Sequence, residues 1–572
     1  MRRSTVFLAV AALVAIPAYS ATPSPLAIGA VQGSGERSPH DGERVTVEGM
    51  VTADLRAGLG GVFVQDAGDG DAATSDGLFV RMGPEPAVRP GQWLRVTGTV
   101  QEQPAGKGDT SLTTLQADTV VAIAARPAPA VTVLRDVPAS WEALEGMQVR
   151  IDAPLTLAGQ GGLQRYGELT VAFGGRLWQP SELAAAGSAE HAAAVADNMR
   201  RRLRLDDGSS KRDPGGVAYL PEGAVLRVGM RLQGVEGVVE QRFDDGYRLQ
   251  LTRPLQLPVL ERPQPPQVPG GLRIAAFNLE NYFNGNGRGG GFPTLRGAKT
   301  QEQLLAQQAK LVATIGSLGA DVAALMELEN DGYGPDSAIA QLVRALNAVA
   351  GGGDWRFVDA GKGPGDNPIR VGIIYRASRV VPVGKVAVLE REPFGERSRV
   401  PLAQAFRMGG KGKPFVVVAN HFKSKSCSGA VGADADHNDG QGCWNATRVE
   451  SARLLDQWLQ GDPTGSGSSD AVLLGDFNAY AMEEPIRQLR ADGWQDAFKL
   501  AGVAQPYSYV YNGQTGRLDH ALLNVGMAAR LKGAVEWHIN ADEADEMGYH
   551  ARNAAGPWRS SDHDPLLLGF EP

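Results

Sequence analysis

Ala471-Val-Leu-Leu-Gly-Asp-Phe-Asn-Ala479 is a short apolar run that breaks into Asp476 and Asn478. Its length and bounding glycine suit a buried strand, which leaves an acid and an amide at the carboxyl end. The same design recurs along the second half of the chain. Leu272–Phe277 runs into Asn278, Glu280 and Asn281, and Asp321–Met326 runs into Glu327 and Glu329. Phe415–Ala419 runs into Asn420, His421, Lys423 and Lys425, and Val371–Tyr375 is a further strand. Leu518-Asp519-His520 and Ser561-Asp562-His563-Asp564, just before Leu566–Leu568, complete the set. Between these runs the apolar spacing turns helical, over Gln301–Ile315, Ser337–Val349, about 446–459 and 483–490. Strands alternating with helices predict mixed sheets covered by helices.

In layered α/β folds ligands bind where strands end. Bringing Asn278, Glu327, Asp476, Asn478, Asp519 and Asp562 to one rim makes an oxygen-rich pocket. Hard divalent cations take such a donor set. His421 and His563 add proton-transfer groups that titrate near neutral pH. The competing reading is ordinary turn chemistry, since Asp and Asn also form turns and caps. A single cluster leaves that choice open, and Glu327 is preferred to Glu329 because it directly follows its apolar run.

In this order, the clusters resemble the endonuclease/exonuclease/phosphatase superfamily over Leu272–Glu571, closest to secreted bacterial nucleases of the ExeM/NucH type. The likeness extends to Gly290–Gly297 and Gly440–Arg448. It implies a deoxyribonuclease-like four-layered α/β sandwich, in which Glu327, Asn278 and Asp562 hold a divalent metal. Magnesium is the first expectation, with manganese or calcium as alternatives. It further implies that Asp519 orients His563, that Asp476 and Asn478 position water and phosphate, and that His421 protonates the leaving oxygen. The carboxylate partner of His421 is left open, with Asp366 a weak choice. Arg370, Lys423 and Lys425 are the expected substrate contacts. The implied reaction is phosphodiester hydrolysis on DNA, or also on RNA, by an endonuclease leaving a 5′-phosphate. A phospholipid or inositol phosphate substrate is the alternative, and a noncatalytic binding protein the remoter one.

Upstream, the residues read differently. Arg44–Thr52, Gly61–Asp66, Gly77–Arg81 and Trp93–Val100 are short alternating strands separated by Gly, Pro and Asp, which fits a small OB-like barrel over 21–128. Phe63, Phe79 and Trp93 are either stacking faces for a nucleic acid strand or core. A faint echo of Val88–Val100 at Leu226–Val239 suggests a second β-rich, OB-like unit over 129–261, with an Ala-rich helix at Ser181–Leu205. Arg262–Gly271 is proline-rich and reads as an extended linker, with the catalytic domain at 272–572. On this reading a fragment from Gly271 to Pro572 keeps its turnover and shows a higher KM.

The composition is that of a globular protein, with 43% hydrophobic and 21% charged residues. A net charge of −8 argues against a general polyanion binder. A nuclease needs only local basic surface, which Arg397, Arg399, Arg407, Lys411, Lys413, Lys423 and Lys425 supply unless they form a solvated face. Arg2, Arg3 and the apolar run Phe7–Ile16, followed by Ala18-Tyr19-Ser20, read as a signal peptide over 1–20. No later run is long enough to span a membrane. Cys427 and Cys443 are the two cysteines, and in an exported chain they are expected to pair.

Overall fold

The computed structural model describes residues 24–106, 110–242, 246–395, 397–409, 411–550 and 555–572. The leader expected over residues 1–20 lies outside the described residues. The described residues form two compact units, those within 24–132, 140–149 and 238–247, and those within 133–139, 150–237 and 248–572. Among the described residues no helix is long and apolar enough to cross a membrane.

In the first unit Arg44–Asp54, Gly61–Gln65, Gly77–Arg81, Trp93–Pro104 and Ser111–Ala122 close into a barrel. Val45, Val47, Val62, Val64, Leu78, Val80, Leu94 and Val96 fill it, as period-2 alternation requires. Phe63, Phe79 and Trp93 are 0%, 0% and 3% exposed. They are core and offer no face to a base, which settles the alternative left open by the sequence.

The second unit contains two six-stranded sheets. The first orders its strands Trp355–Phe357, Ile369–Arg376, Val322–Glu329, Leu272–Tyr282, Leu566–Phe570 and Leu531–Glu536. The second orders them Val380–Val388, Leu402–Met408, Phe415–His421, Ala471–Asp476, Asp519–Leu523 and Gln495–Asp496. Each sheet has one parallel pair at its centre, Leu272–Tyr282 with Val322–Glu329 and Phe415–His421 with Ala471–Asp476. Alternation divides every central strand between two cores. Ile274, Ala276, Val417, Ala419, Val472 and Leu474 meet between the sheets. Phe277 and Leu325 pack outward onto the helices Gln301–Leu318 and Ala338–Ala350. Val416, Val418 and Leu473 pack onto Asn445–Gln460 and Glu484–Ala491. The result is helix, sheet, sheet, helix. Thr300 and Ser337 cap the first two helices by accepting from the amides of Gln303 and Ala340.

Further strands of this unit, Arg231–Leu232, Leu155–Gly159, Leu169–Phe173, Arg202–Asp206 and Tyr247–Leu251, are neighbours in that order in an open sheet. The echo noted in the sequence therefore does not build a second closed barrel. The expected single helix over Ser181–Leu205 is instead Pro180–Leu183 and Ala189–Arg201, followed by a strand. Gly187 interrupts it, Ser188 caps the second piece through the His191 amide, and Arg202-Leu-Arg-Leu-Asp206 alternates as a strand does. The proline-rich segment is docked along its length. Arg262 pairs with Glu543 at 2.9 Å, and the Trp537 indole donates to the Pro263 carbonyl at 3.1 Å. A Cβ on Gly569 would stand 2.0 Å from the Pro269 carbonyl, so this close approach needs glycine.

Cys427 and Cys443 form a disulfide, with Cα atoms 5.0 Å apart and a sequence separation of 16. Closing such a loop contributes about 3 kcal/mol in the chain-entropy treatment. Thiol titration of denatured, unreduced protein is expected to find no thiol, and a count of two per chain refutes the bridge in solution.

Candidate active site

Strand register assembles one half of the site. His421 pairs with Asp476, and Asp476 with Asp519, on three adjacent strands of the second sheet. Gly475, at φ +126°, makes the close pairing possible, because a Cβ there would stand 2.2 Å from the Asn420 carbonyl. The first sheet supplies the other half. Register shifts fall between Asn278 and Tyr282 and between Leu325 and Leu328, so both central strands are irregular where their polar clusters begin. Glu280, Asn281, Glu327 and Asn478 take φ of +52°, +58°, +62° and +47°. Left-handed backbone at residues other than glycine is costly and collects at functional sites.

Hydrogen bonds tie the two halves together. The Asn278 amide donates to Asp476 Oδ2 at 3.2 Å, and the Asn281 N–H donates to Glu327 Oε2 at 2.9 Å. Asp476 Oδ1 accepts from the Asn478 N–H at 2.8 Å, while the Asn478 amide donates to the Phe422 carbonyl at 3.1 Å. His563 Nδ1 lies 2.6 Å from Asp519 Oδ2, and the same oxygen accepts from the Ser508 hydroxyl at 2.8 Å. The Tyr509 ring sits 4.6 Å from the His563 ring, centroid to centroid.

The electrostatics separate the two histidines. Burial opposes charge on His563, but Asp519, Asp562 and Asp476 outweigh it and hold the ring protonated well above its ordinary range. Burial, then Arg399, pushes His421 down to about 4. Its Nε2 stands 3.3 Å from Asp476 Oδ2 and 3.9 Å from Glu327 Oε1, and its Nδ1 is buried without a partner among the described residues. The carboxylate facing His421 is thus Asp476, not Asp366. The geometry places His421 beside Asp476, where it can orient that carboxylate. Burial, then Asp562, pushes Glu327 up to about 7.

Arg399 is the residue that sequence reasoning did not place here. It is 6% exposed, yet Asp476 and Glu327 both act on its charge, and its Nε has no partner among the described residues. Burial pushes it down to about 10. It belongs to the basic concentration seen in the sequence, but that concentration disperses: Lys413 pairs with Asp470 at 2.6 Å. The expected substrate contacts divide as well. Arg370 is 1% exposed, donates to the carbonyls of Glu329 and Gly332, and stacks 4.2 Å over Tyr333. It secures the loop after Glu329 and is not available on a surface. Lys425 is paired with Glu483. Lys423 lies 4.8 Å over Trp444 and feels the charges of Arg399 and Arg296, so it remains a fit contact for an anion. His520 Nε2 donates to the Ala479 carbonyl, 2.8 Å away in the core, and supports the loop of Asn478.

Glu327, Asp562 and the Asn278 amide oxygen suit a hard cation by donor type. Among the described residues no three His, Cys, Asp or Glu side chains draw together as a metal-holding group. A site with one or two carboxylates, completed by water, fits magnesium better than an ion needing a full protein cage. Half-buried Glu327 beside Asp562 is also the carboxylate that a cation would relieve.

The description of the Endonuclease/Exonuclease/phosphatase family matches residues 277–563, just over half of the 572-residue chain. The chain belongs to this family. Residues 126–261 match a domain of unknown function, DUF8508, which covers much of the open sheet. No curated protein matches the chain. Among solved structures, a family protein from Bacteroides thetaiotaomicron aligns at 17% identity over 52% of this chain and 96% of its own, with a TM-score of 0.35. The mannosyl-6-phosphatase of the same organism aligns at 16% identity over 52% and 99%, TM-score 0.36. D. rerio TDP2 complexed with a single-strand DNA product aligns at 17% identity over 52% and 97%, TM-score 0.33.

Proposed function

We propose that this protein is an exported, divalent-metal-dependent nuclease that hydrolyses phosphodiester bonds in DNA, as an endonuclease leaving a 5′-phosphate. The observation that carries the reading is the convergence of the Asp519–His563 pair, Asp476 and Asn478, and Glu327 with Asp562 on one rim beside buried Arg399. Protonated His563, fixed by Asp519, and Arg399 steady a phosphate whose charge grows during attack. Asp476, held by His421, Asn278 and Asn478, is placed to orient the attacking water. Glu327, Asp562 and Asn278 would hold a divalent ion, magnesium first, and such an ion would supply further positive charge for the phosphoryl oxygens. Export is supported by the leader-like start and by the disulfide, since disulfides persist in oxidising compartments.

Incubating the full chain with circular DNA, linear DNA and RNA, across magnesium, manganese and calcium and with a chelator, tests the reading. Nicking of circular DNA that stops with chelator is expected. Absence of cleavage with every ion, or turnover only on phospholipid or inositol phosphate, overturns it.

A further inference from the structure

A groove of about 1100 Å³ runs from Asp562 to the strands Leu155–Gly159, Leu169–Phe173 and Arg202–Asp206, all within the second compact unit. One side is an aromatic step. Tyr509 touches His563 at 4.6 Å, and Tyr511 stacks on Tyr509 at 6.5 Å with the planes 12° apart. Tyr511 is 56% exposed. Tyrosine on the surface of a short hairpin gains nothing from that hairpin's core, so its exposed face is open to a planar partner. The other side is cationic. Arg202 is half-buried, donates to the Asn512 carbonyl at 3.0 Å, and keeps a buried Nε without a partner among the described residues. Burial, then neighbouring Arg204, holds its guanidinium below its ordinary range. Of the acids lining the groove, Glu168 is paired with Arg248, Glu543 with Arg227 and Arg262, and Asp545 with Arg559, while Glu546 accepts from the Gln164 side-chain amide and Asp562 stands at the catalytic end. Arg202, half-buried with its Nε unpartnered among the described residues and most of the lining acids paired, is the cation placed to meet an anion in the groove.

We infer that this groove is a single-strand nucleic acid subsite, in which unpaired bases next to the scissile phosphate stack on Tyr509 and Tyr511 while Arg202 holds the backbone. The inference rests on the nuclease reading for its catalytic arm only. Stacking suits a strand whose bases are free and is tolerant of sequence, whereas a duplex keeps its base faces covered. The sheet upstream of the family match thus contributes directly to substrate binding, and the aromatic step leads the strand toward His563.

Two measurements on the full chain test this. The first is independent of catalysis: fluorescence anisotropy of labelled dT and rU oligonucleotides, and of a DNA duplex, with chelator present. Tyr511→Ala is expected to weaken single-strand binding at least about fivefold, the low end for removing one stacked base, with little change for duplex. Arg202→Gln is expected to weaken it and to flatten its salt dependence. Equal effects of Tyr511→Ala on single strand and duplex, or none on single strand, overturn the inference. The dT and rU arms show which sugar the subsite accepts. The second compares kcat/KM on a dT oligonucleotide and on bis(p-nitrophenyl) phosphate. Both variants are expected to lose at least about fivefold more on the oligonucleotide. Equal losses on both substrates overturn the subsite while leaving the nuclease reading intact. A wild-type chain that binds dT through Tyr511 but cleaves neither substrate removes the nuclease reading and keeps the subsite.

Discussion

Replacing His563 with alanine is expected to lower turnover on DNA at least about a hundredfold, the scale of losing one group that assists charge and proton movement. The argument is geometric. Asp519 holds Nδ1 at 2.6 Å, and Ser508 in turn fixes that carboxylate, so the ring is held in one orientation and its other nitrogen is left for the reacting phosphate or water. Glu327→Gln is expected to lose as much activity for a different reason, since it removes a charged oxygen donor. The two variants part on stability. Glu327 is raised from its ordinary value to about 7, so the folded state binds a proton more tightly than the unfolded state does. Stability from this group is present below the unfolded value and falls as pH rises through the window up to about 7. With chelator present, Glu327→Gln should therefore melt at or above the wild-type temperature, by more at pH 8 than at pH 5. A well-folded His563→Ala or Glu327→Gln protein with near-normal turnover removes that residue from the site. A Glu327→Gln chain that melts lower at pH 8 shows that the carboxylate is not strained by burial.

Much of this site is legible in the sequence because its residues stand where apolar runs end, and strand order then fixes which ends meet. Phe415–Ala419 and Ala471–Leu474 point to His421 and Asp476 in this way, and the observed register sets them side by side. What stays hidden depends on distant partners. Arg399 resembles its basic neighbours until the fold buries it near Glu327 and Asp476. Arg370 and Lys425 look like surface cations until their carbonyl and carboxylate partners arrive. The strand from Leu272 continues past Phe277 to Tyr282, because left-handed turns at Glu280 and Asn281 absorb a break that composition alone reads as a strand end. Alternation in Tyr509-Val-Tyr511 puts both rings on one face, but does not tell what that face meets, since its neighbours come from residues far upstream.

The fragment from Gly271 to Pro572 is expected to be unstable, contrary to the domain arithmetic of the sequence. A proline-rich segment marks a change of composition, but the buried charges do not respect it. Arg176 donates to both oxygens of Asp542, at 2.9 and 2.8 Å, and to the Tyr507 hydroxyl at 3.0 Å. Asp542 is buried, with 5% side-chain exposure. Glu182 accepts from the backbone of Ala481 and Arg517, in the loop after Asn478 and just before the strand that begins at Asp519. Backbone bonds join Leu177 and Gln179 to Thr515 on the same hairpin. Removing residues before 271 leaves Asp542 and Glu543 buried without their arginines. Breaking one such pair costs about 3–5 kcal/mol, because the remaining charge is uncompensated. Truncation breaks several at once, against a total stability of only about 5–15 kcal/mol. The single change Arg176→Ala isolates the effect. Arg227, 3.6 Å from the same carboxylate, softens it, so the loss should lie near the low end, about 3 kcal/mol. Because Tyr507 adjoins Ser508, which fixes Asp519, Arg176→Ala should also lower kcat on a small diester that never reaches the tyrosine step. Urea unfolding of the variant and of the fragment, read by circular dichroism, measures the first effect. A fragment that unfolds cooperatively with wild-type turnover would show that the charges before residue 271 contribute nothing to holding the site, and that the catalytic sandwich stands alone.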